Sequence, residues 1–328
     1  RALAIRDARL GPDHPSTAMS ANNLGLFYKE MLDYENADRL FSRAARSWDL
    51  VLGRGHSLTE GVHANIGEVR MLDGDLEGAE TPLRRGLRGL SDALGENHRF
   101  VAYVTAQLGR WTLLAGEDPG EARRLLQHAL DILEREPSPN AVDLADTMSD
   151  LASLLGRNPD ERTRAYALHE RALEIRRAAL GPHHPALRFS FEGLARLAAL
   201  DDELGRAREL AFRAEDVRRE HLLLTARLAS ERDALRLSWR GTAGLDLALS
   251  LTPAEGDAVS IAWDRVIRSR ALVFDELARR QREISAARDP GIERLVRRLE
   301  THRARLSNLL LRGMTSSQPA DYRARVEQ

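Results

Sequence analysis

An all-α fold built from stacked helical repeats is what this sequence predicts, and three observations carry it. A short phrase returns at 42-residue intervals, as Leu10-Gly11-Pro12-Asp13-His14-Pro15, Leu52-Gly53-Arg54-Gly55-His56-Ser57 and Leu94-Gly95-Glu96-Asn97-His98-Arg99. It reappears as Leu180-Gly181-Pro182-His183-His184-Pro185, 86 residues after the third copy, or two periods with two residues added. Between the phrases, apolar and small residues recur at helical spacing in two blocks. The composition agrees: Ala, Leu, Glu and Arg dominate, and aromatics make up only 5% of the 328 residues, so local propensity favours helix and disfavours sheet. A unit of this size cannot bury its apolar face alone, so successive units stack into a solenoid.

The elements follow in order. Subtracting one period from Ala44 gives Ala2, so the chain is expected to begin inside the second helix of an earlier repeat. The first full repeat predicts helices over about Ser16 to Met31 and Tyr34 to Leu52, broken at Leu32-Asp33. Leu24, Gly25 and Tyr28 share one face of the first helix, and Ala37, Phe41 and Ala44 face them from the second. The same frame returns as Ile66, Gly67, Ala79, Leu83 and Gly86, then as Leu108, Gly109, Ala122, Leu126 and Ala129. It weakens to Leu151, Ala152, Ala165, His169 and Ala172, where the incoming linker has become Glu136-Pro137-Ser138-Pro139. A fifth copy reads Leu194, Ala195, Ala207, Ala211 and Ala214.

In spacing, Leu24, Gly25, Tyr28, Ala37, Phe41 and Ala44 resemble the tetratricopeptide repeat. The longer period, the Leu-Gly-x-x-His-Pro linker and the Asn22-Asn23-Leu24 run are similar to its kinesin-light-chain variety. That resemblance implies a right-handed superhelix of helical hairpins whose first helices line an inner groove. It sets the expected array at residues 1–215, and a different helical module at 216–328.

The linker phrase disappears beyond Leu200. A long helical stretch is expected through Leu210, Val217, Leu222 and Leu228 towards Trp239, followed by a break at Gly241-Thr242-Ala243-Gly244 and an apolar segment from Leu245 to Leu251. Thr252-Pro253-Ala254-Glu255 has a capping-box pattern, predicting that the Thr252 hydroxyl accepts a backbone N–H at the start of a new helix. That helix, about Ala254 to Ala287, and another, about Ile292 to Leu311, flank Asp289-Pro290-Gly291 as a helical hairpin. A loop at Thr315-Ser316-Ser317-Gln318-Pro319 and a helix start at Asp321 to Gln328 complete the expected order. The runs Trp263 to Val273, Leu277-Ala278-Arg279-Arg280, Ala286 to Pro290 and Tyr322 to Val326 are similar to the helical segment before the peptidase in bacterial proteins that join tetratricopeptide repeats to a caspase-like CHAT domain. Such a domain carries a His and Cys dyad. This chain has no cysteine, so no catalytic residue transfers, and the resemblance implies only a CHAT-type domain in cis, absent from this sequence.

Chemistry within the chain is not indicated. The sequence lacks a Gly-x-x-x-x-Gly-Lys loop, a Gly-x-Gly-x-x-Gly turn, His-Glu-x-x-His and Gly-x-Ser-x-Gly. Neither a cofactor nor a metal is expected. The recurring His14, His56, His98 and His184 fall one per repeat without a second ligand nearby, which makes them turn or helix-start contacts rather than a metal array. A net charge of −1 argues against bulk attraction to nucleic acid. Residues 261–328 carry 15 Arg against nine acids, and since Lys29 is the sole lysine of the chain, the arginine excess is read as coding bias. No 18-residue apolar run and no signal-peptide layout is seen, so a cytoplasmic protein that does not cross membranes is expected.

Binding is the expected function. In the groove register implied by the resemblance, the residue before each Leu24 equivalent is a contact position, giving a ladder of Asn23, Asn65, Gln107 and Asp150. Amides can donate to and accept from an extended peptide backbone. Asn22, Leu26, Lys29, Glu68 and Arg110 would add selectivity. The same amides could equally satisfy neighbouring groups within the solenoid, and Tyr103 and Trp111 are taken as packing residues. The leading expectation is a protein- or peptide-binding regulatory segment of a CHAT-type protease. A free-standing adaptor is the first alternative, and the sensor arm of a nucleotide-switch or nucleic-acid-binding regulator the second.

Overall fold

A computed structural model describes residues 1–228, 242–253 and 256–286, with residues 291, 294, 295, 298 and 301 individually. These residues form helices and turns, with no strand among them. Helix α1 (Ala2–Leu10) precedes five pairs: α2 (Pro15–Glu30) with α3 (Tyr34–Val51), α4 (Ser57–Asp73) with α5 (Leu76–Leu94), α6 (Arg99–Leu114) with α7 (Pro119–Arg135), α8 (Ala141–Leu155) with α9 (Arg162–Leu180), and α10 (Leu187–Leu200) with α11 (Leu204–Leu228). Helices α12 (Ala243–Ser250) and α13 (Asp257–Ala286) follow. The expected bounds of the first two repeat helices are met to within one residue.

Each recurring linker is built from two devices. Gly11, Gly53, Gly95 and Gly181 hold φ of 88°, 81°, 86° and 87°, a left-handed turn that stops the preceding helix and that a side chain would strain. The histidine then caps the next helix: Nδ1 of His14, His56 and His98 accepts the N–H of Ser16, Leu58 and Phe100 at 3.1, 3.2 and 3.2 Å. His184 Nδ1 accepts the Ala186 N–H at 3.2 Å in the turn just before α10, whose first turn has no side-chain cap. Where the linker has lost its histidine, Asn140 caps α8 through Val142 N–H at 2.9 Å. Asp33, Asp75 and Asp118 cap the second helices of the first three repeats. The histidines are therefore helix-start groups.

Within a pair, the helices approach through small residues. A Cβ on Gly67 would lie 2.6 Å from Leu83 Cγ and 2.9 Å from the Ala79 carbonyl oxygen, so the crossing of α4 and α5 requires glycine there. Gly67→Val is expected to lower the unfolding free energy by about 1–3 kcal/mol through overpacking. Urea unfolding followed by circular dichroism measures this, and an unchanged midpoint would show that the crossing relaxes freely.

Helix α11 runs unbroken across residue 215. On it, Arg218 holds both Glu215 oxygens at 2.7 Å and donates to Ser269 Oγ of α13 at 2.6 Å. Ala195, Ala211, Phe212, Ala248 and Ala262 form one apolar cluster joining α10, α11, α12 and α13. Two expectations need correction. The expected break at 241–244 is shorter, because Ala243 and Gly244 already belong to α12. The Thr252 hydroxyl donates to the Ala248 carbonyl at 2.8 Å, closing the last turn of α12, while α13 begins only at Asp257 after Gly256 at φ 95°. Trp239, Ala254, Glu255, the breaker residues Asp289 and Pro290, the helix expected from Ile292 to Leu311, and residues 315–328 lie outside the described residues, apart from Arg294, Leu295, Arg298 and Thr301. Among the described residues, no helix is long and apolar enough to cross a membrane.

Candidate functional site

Each second helix packs on the next first helix, and successive first helices also meet, α4 with α6, α6 with α8 and α8 with α10. No two second helices make comparable contact among the described residues, so the array curves with its first helices inside. Residues spaced 3, 7, 10 and 14 along a helix share a face, and that face points into the curve. It presents Ser16, Met19, Asn23, Leu26 and Glu30 on α2, then Leu58, Gly61, Asn65, Glu68 and Leu72 on α4. On α6 it presents Phe100, Tyr103, Gln107, Arg110 and Leu114, and on α8 Asp143, Asp146, Asp150, Ser153 and Arg157 follow at the same spacing, the last just past the helix end.

The centre of this face is a polar network running between repeats. Glu68 receives Lys29 Nζ at 2.9 Å, the Tyr103 hydroxyl at 2.6 Å and Gln107 Nε2 at 3.4 Å. Arg110 donates to Asp150 at 2.7 Å, and Asn65 Nδ2 to Asn22 Oδ1 at 3.2 Å. Arg176, reaching through from α9, binds Asp146 at 2.5 Å and Ser149 at 3.0 Å, and also hydrogen-bonds Ser190. Thus most of the expected ladder already spends hydrogen bonds on its neighbours. Asn23 and Leu26 are exposed, and the Asn23 side chain has no hydrogen bond among the described residues. The Gln107 Oε1 is buried with no donor among the described residues.

Burial and charge set the protonation states. Burial pulls the Lys29 ammonium down, but Glu68 beside it outweighs this and leaves the pKa raised. Burial and the Glu68 carboxylate push the Tyr103 hydroxyl well up, so it remains a donor. Burial raises Asp150 despite Arg110. Asp143 has no side-chain hydrogen bond among the described residues, and burial with neighbouring Asp146 and Glu68 lifts it to about 6. A group whose folded pKa stands above its unfolded 3.8 costs stability once pH has risen through both values. Asp143→Asn is therefore expected to stabilise by about 1–2 kcal/mol at pH 7.5, allowing for partial solvent screening, and by almost nothing near pH 4. Parallel urea titrations at the two pH values measure it. A pH-independent gain would mean that the carboxylate charge is not its source.

Apolar side chains flank the network in two rows. Leu58 and Phe100, at equivalent first-turn positions, are 39% and 49% exposed, and Leu72 and Leu114, at equivalent last-turn positions, 40% and 56%. Sequence reasoning took Tyr103 for a packing residue, whereas its hydroxyl belongs to the polar network, and passed over Asp143 and Asp146, although the spacing of the stripe from Gln107 and Asp150 marks all three. Trp111 is buried and donates to the Leu76 carbonyl at 2.7 Å, as a packing residue should. Among the described residues no group of three or more His, Asp or Glu could hold a metal ion.

Comparison with protein families gives two matches, both described as tetratricopeptide repeat. One covers residues 58–135, and the other residues 17–58 and 144–186. The chain carries tetratricopeptide repeats. Among solved structures, BtubC (BKLC) from P. vanneervenii shares the fold at 18% identity and a TM-score of 0.51, over 66% of this chain and 85% of that one. The nearly identical TPR-like repeats of a Podosopora anserina kinesin light chain align at 19% identity and a TM-score of 0.45, over 63% of this chain and 98% of that chain. A singly substituted form of those same repeats aligns at 20% identity and a TM-score of 0.47, over 63% and 97%. No curated protein matches. The tetratricopeptide assignment explains why small residues lie at each crossing of paired helices and why the first helices line the groove.

Proposed function

We propose that the groove of this tetratricopeptide array holds an extended segment of a partner protein. The observation that carries this is the two rows of exposed apolar side chains flanking a polar centre on one continuous face: such a surface supplies pockets for alternate side chains and hydrogen bonds for the backbone between them. Asn23, exposed and without a side-chain bond among the described residues, and the half-buried Asn65 Oδ1 and Asn22 Nδ2, which their mutual bond leaves unused, are the amide groups with capacity left for a ligand, and Leu26, Leu58 and Phe100 are the apolar contacts. Asn22, Lys29, Asn65, Glu68, Arg110 and Asp150 position that surface through their mutual bonds. A random-peptide display selection tests the reading. Enriched peptides should lose at least about tenfold in affinity, 1.4 kcal/mol, with Asn23→Ala plus Leu26→Ala. Peptides indifferent to that pair, or no enrichment, would overturn it.

The finer part of the proposal is that residues 1–215 are the sensing array and residues 216–328 couple it to a CHAT-type peptidase in cis, in a bacterial cytoplasm. Its support is the resemblance of residues 263–326 and the continuous packing of α10 and α11 onto α12 and α13. No catalytic step is assigned to this chain. The gene should continue into an α/β domain with a His followed by a Cys; a different domain, or a stop codon close to Gln328, would exclude this part alone.

A further inference from the structure

His169 stands on α9 where equivalent positions of the earlier repeats hold Phe41, Leu83 and Leu126. It is 1% exposed, and neither ring nitrogen has a partner among the described residues. Its ring lies over Gly193, the residue that occupies the ladder position of the fifth repeat, where Asn23, Asn65, Gln107 and Asp150 stand in the others. A Cβ on Gly193 would fall 2.2 Å from His169 Cε1 and 2.5 Å from Nε2. A cavity of about 440 Å³ lies between the ends of α8 and α10 and Leu247 of α12, and both Gly193 and His169 line it. With no side chain at Gly193, the buried imidazole forms part of the wall there, and a ligand that bonds its nitrogens must displace that wall slightly. Its size falls in the range of small-molecule sites, roughly 300–1,000 Å³.

The walls have a definite chemistry. Leu197, Leu200 and Leu247 give it an apolar body. Arg157 and Arg196 also line it, and both guanidinium groups have capacity left. Arg157 is exposed and makes no ion pair among the described residues, while Arg196 stands 3.9 Å from Glu192, which instead accepts from Arg188 at 3.2 Å. Two cations over an apolar cleft favour a carboxylate on an apolar ligand, and a buried unpaired imidazole favours a ligand that supplies the missing hydrogen bond.

We propose that this cavity binds a small amphipathic organic anion, its carboxylate between Arg157 and Arg196, its apolar part against Leu197 and Leu247, and a polar atom of the ligand on His169. This goes beyond the peptide groove, because the ligand would bridge α8, α10 and α12 and so tie the array to the helices that follow it. Bound only by the folded form, it would stabilise that junction.

Calorimetric titration of the full chain with indole-3-acetate, 4-phenylbutyrate and octanoate, each beside its neutral amide, tests the proposal. At least one acid should bind saturably and about tenfold or more tighter than its amide. Arg157→Ala with Arg196→Ala should erase that preference without touching the core. His169→Leu, which restores the residue type of the second and third repeats and so keeps the fold, should weaken indole-3-acetate by about tenfold through its lost hydrogen bond. Asn23→Ala plus Leu26→Ala should leave all of these affinities unchanged, which separates this site from the peptide reading. The proposal is overturned if none of the acids binds, if acid and amide bind alike, if His169→Leu binds as the wild type does, or if inorganic phosphate binds as tightly as the organic acids.

Discussion

Arg176→Ala is expected to lower the unfolding free energy by about 3–5 kcal/mol, among the largest single-residue effects in the array. The side chain is 1% exposed, and its guanidinium joins three helices: it sits on α9, pairs with Asp146 of α8 at 2.5 Å, and hydrogen-bonds Ser149 of α8 and Ser190 of α10. Removing it leaves two buried hydroxyls without their donor and a space the size of the largest polar side chain, while Asp146, 35% exposed, can return to water. In a repeat array, stability is a sum of unit and nearest-neighbour terms, so the loss falls on the junction of the fourth and fifth repeats. The urea transition should therefore split, with the C-terminal helices melting first. Arg176→Met, which keeps most of the volume, should recover about half of the loss. A single transition displaced by less than about 1 kcal/mol would mean that the arginine is not the tie between these repeats.

That arginine illustrates where the sequence was legible. The period and the paired helices could be read because they depend on local spacing: a glycine ends a helix, small residues mark a crossing, and apolar residues recur every three or four positions. The groove face was legible in register, since Asn23, Asn65, Gln107 and Asp150 do share one surface. Its state of pairing was not. Lys29 meets Glu68 across 39 residues and Arg110 meets Asp150 across 40, and such partners depend on how one repeat is set against the next. The histidines of the linkers were legible as helix-start groups by elimination, whereas the Nδ1 cap itself is a conformational detail that no spacing rule contains. Arg176 and Asp143 escaped notice because an arginine in an amphipathic helix and an aspartate in a first turn are usually solvated. Gly193 and His169 escaped because each, taken alone, looks like ordinary drift in a worn repeat; only their juxtaposition, 24 residues apart in the chain, shows that one makes room for the other.

The second large effect follows from that juxtaposition. Burial, with the neighbouring Arg176 and Arg196 charges, lowers His169 from 6.5 to about 3, so the folded protein keeps the ring neutral while the unfolded chain protonates it as pH falls below 6.5. The unfolded state then binds the extra proton, and stability falls with pH by about 1.4 kcal/mol per unit over that window. Glu192, the nearest acid on α10, is turned to Arg188 at 3.2 Å and does not offset this. His169→Leu removes the titration and also the two unpartnered nitrogens. It should be more stable than wild type by about 1–2 kcal/mol at pH 7.5, and the advantage should widen by about 3 kcal/mol on going to pH 4. Acid titration of Asp143, which has the opposite sign, and of the surface carboxylates is common to both proteins and cancels in the difference. Denaturant unfolding of the pair at half-unit steps of pH measures it. A constant difference would mean that the imidazole takes up its proton over the same pH range in the folded protein as in the unfolded chain, as it would if the junction opened to water before the rest of the array unfolds.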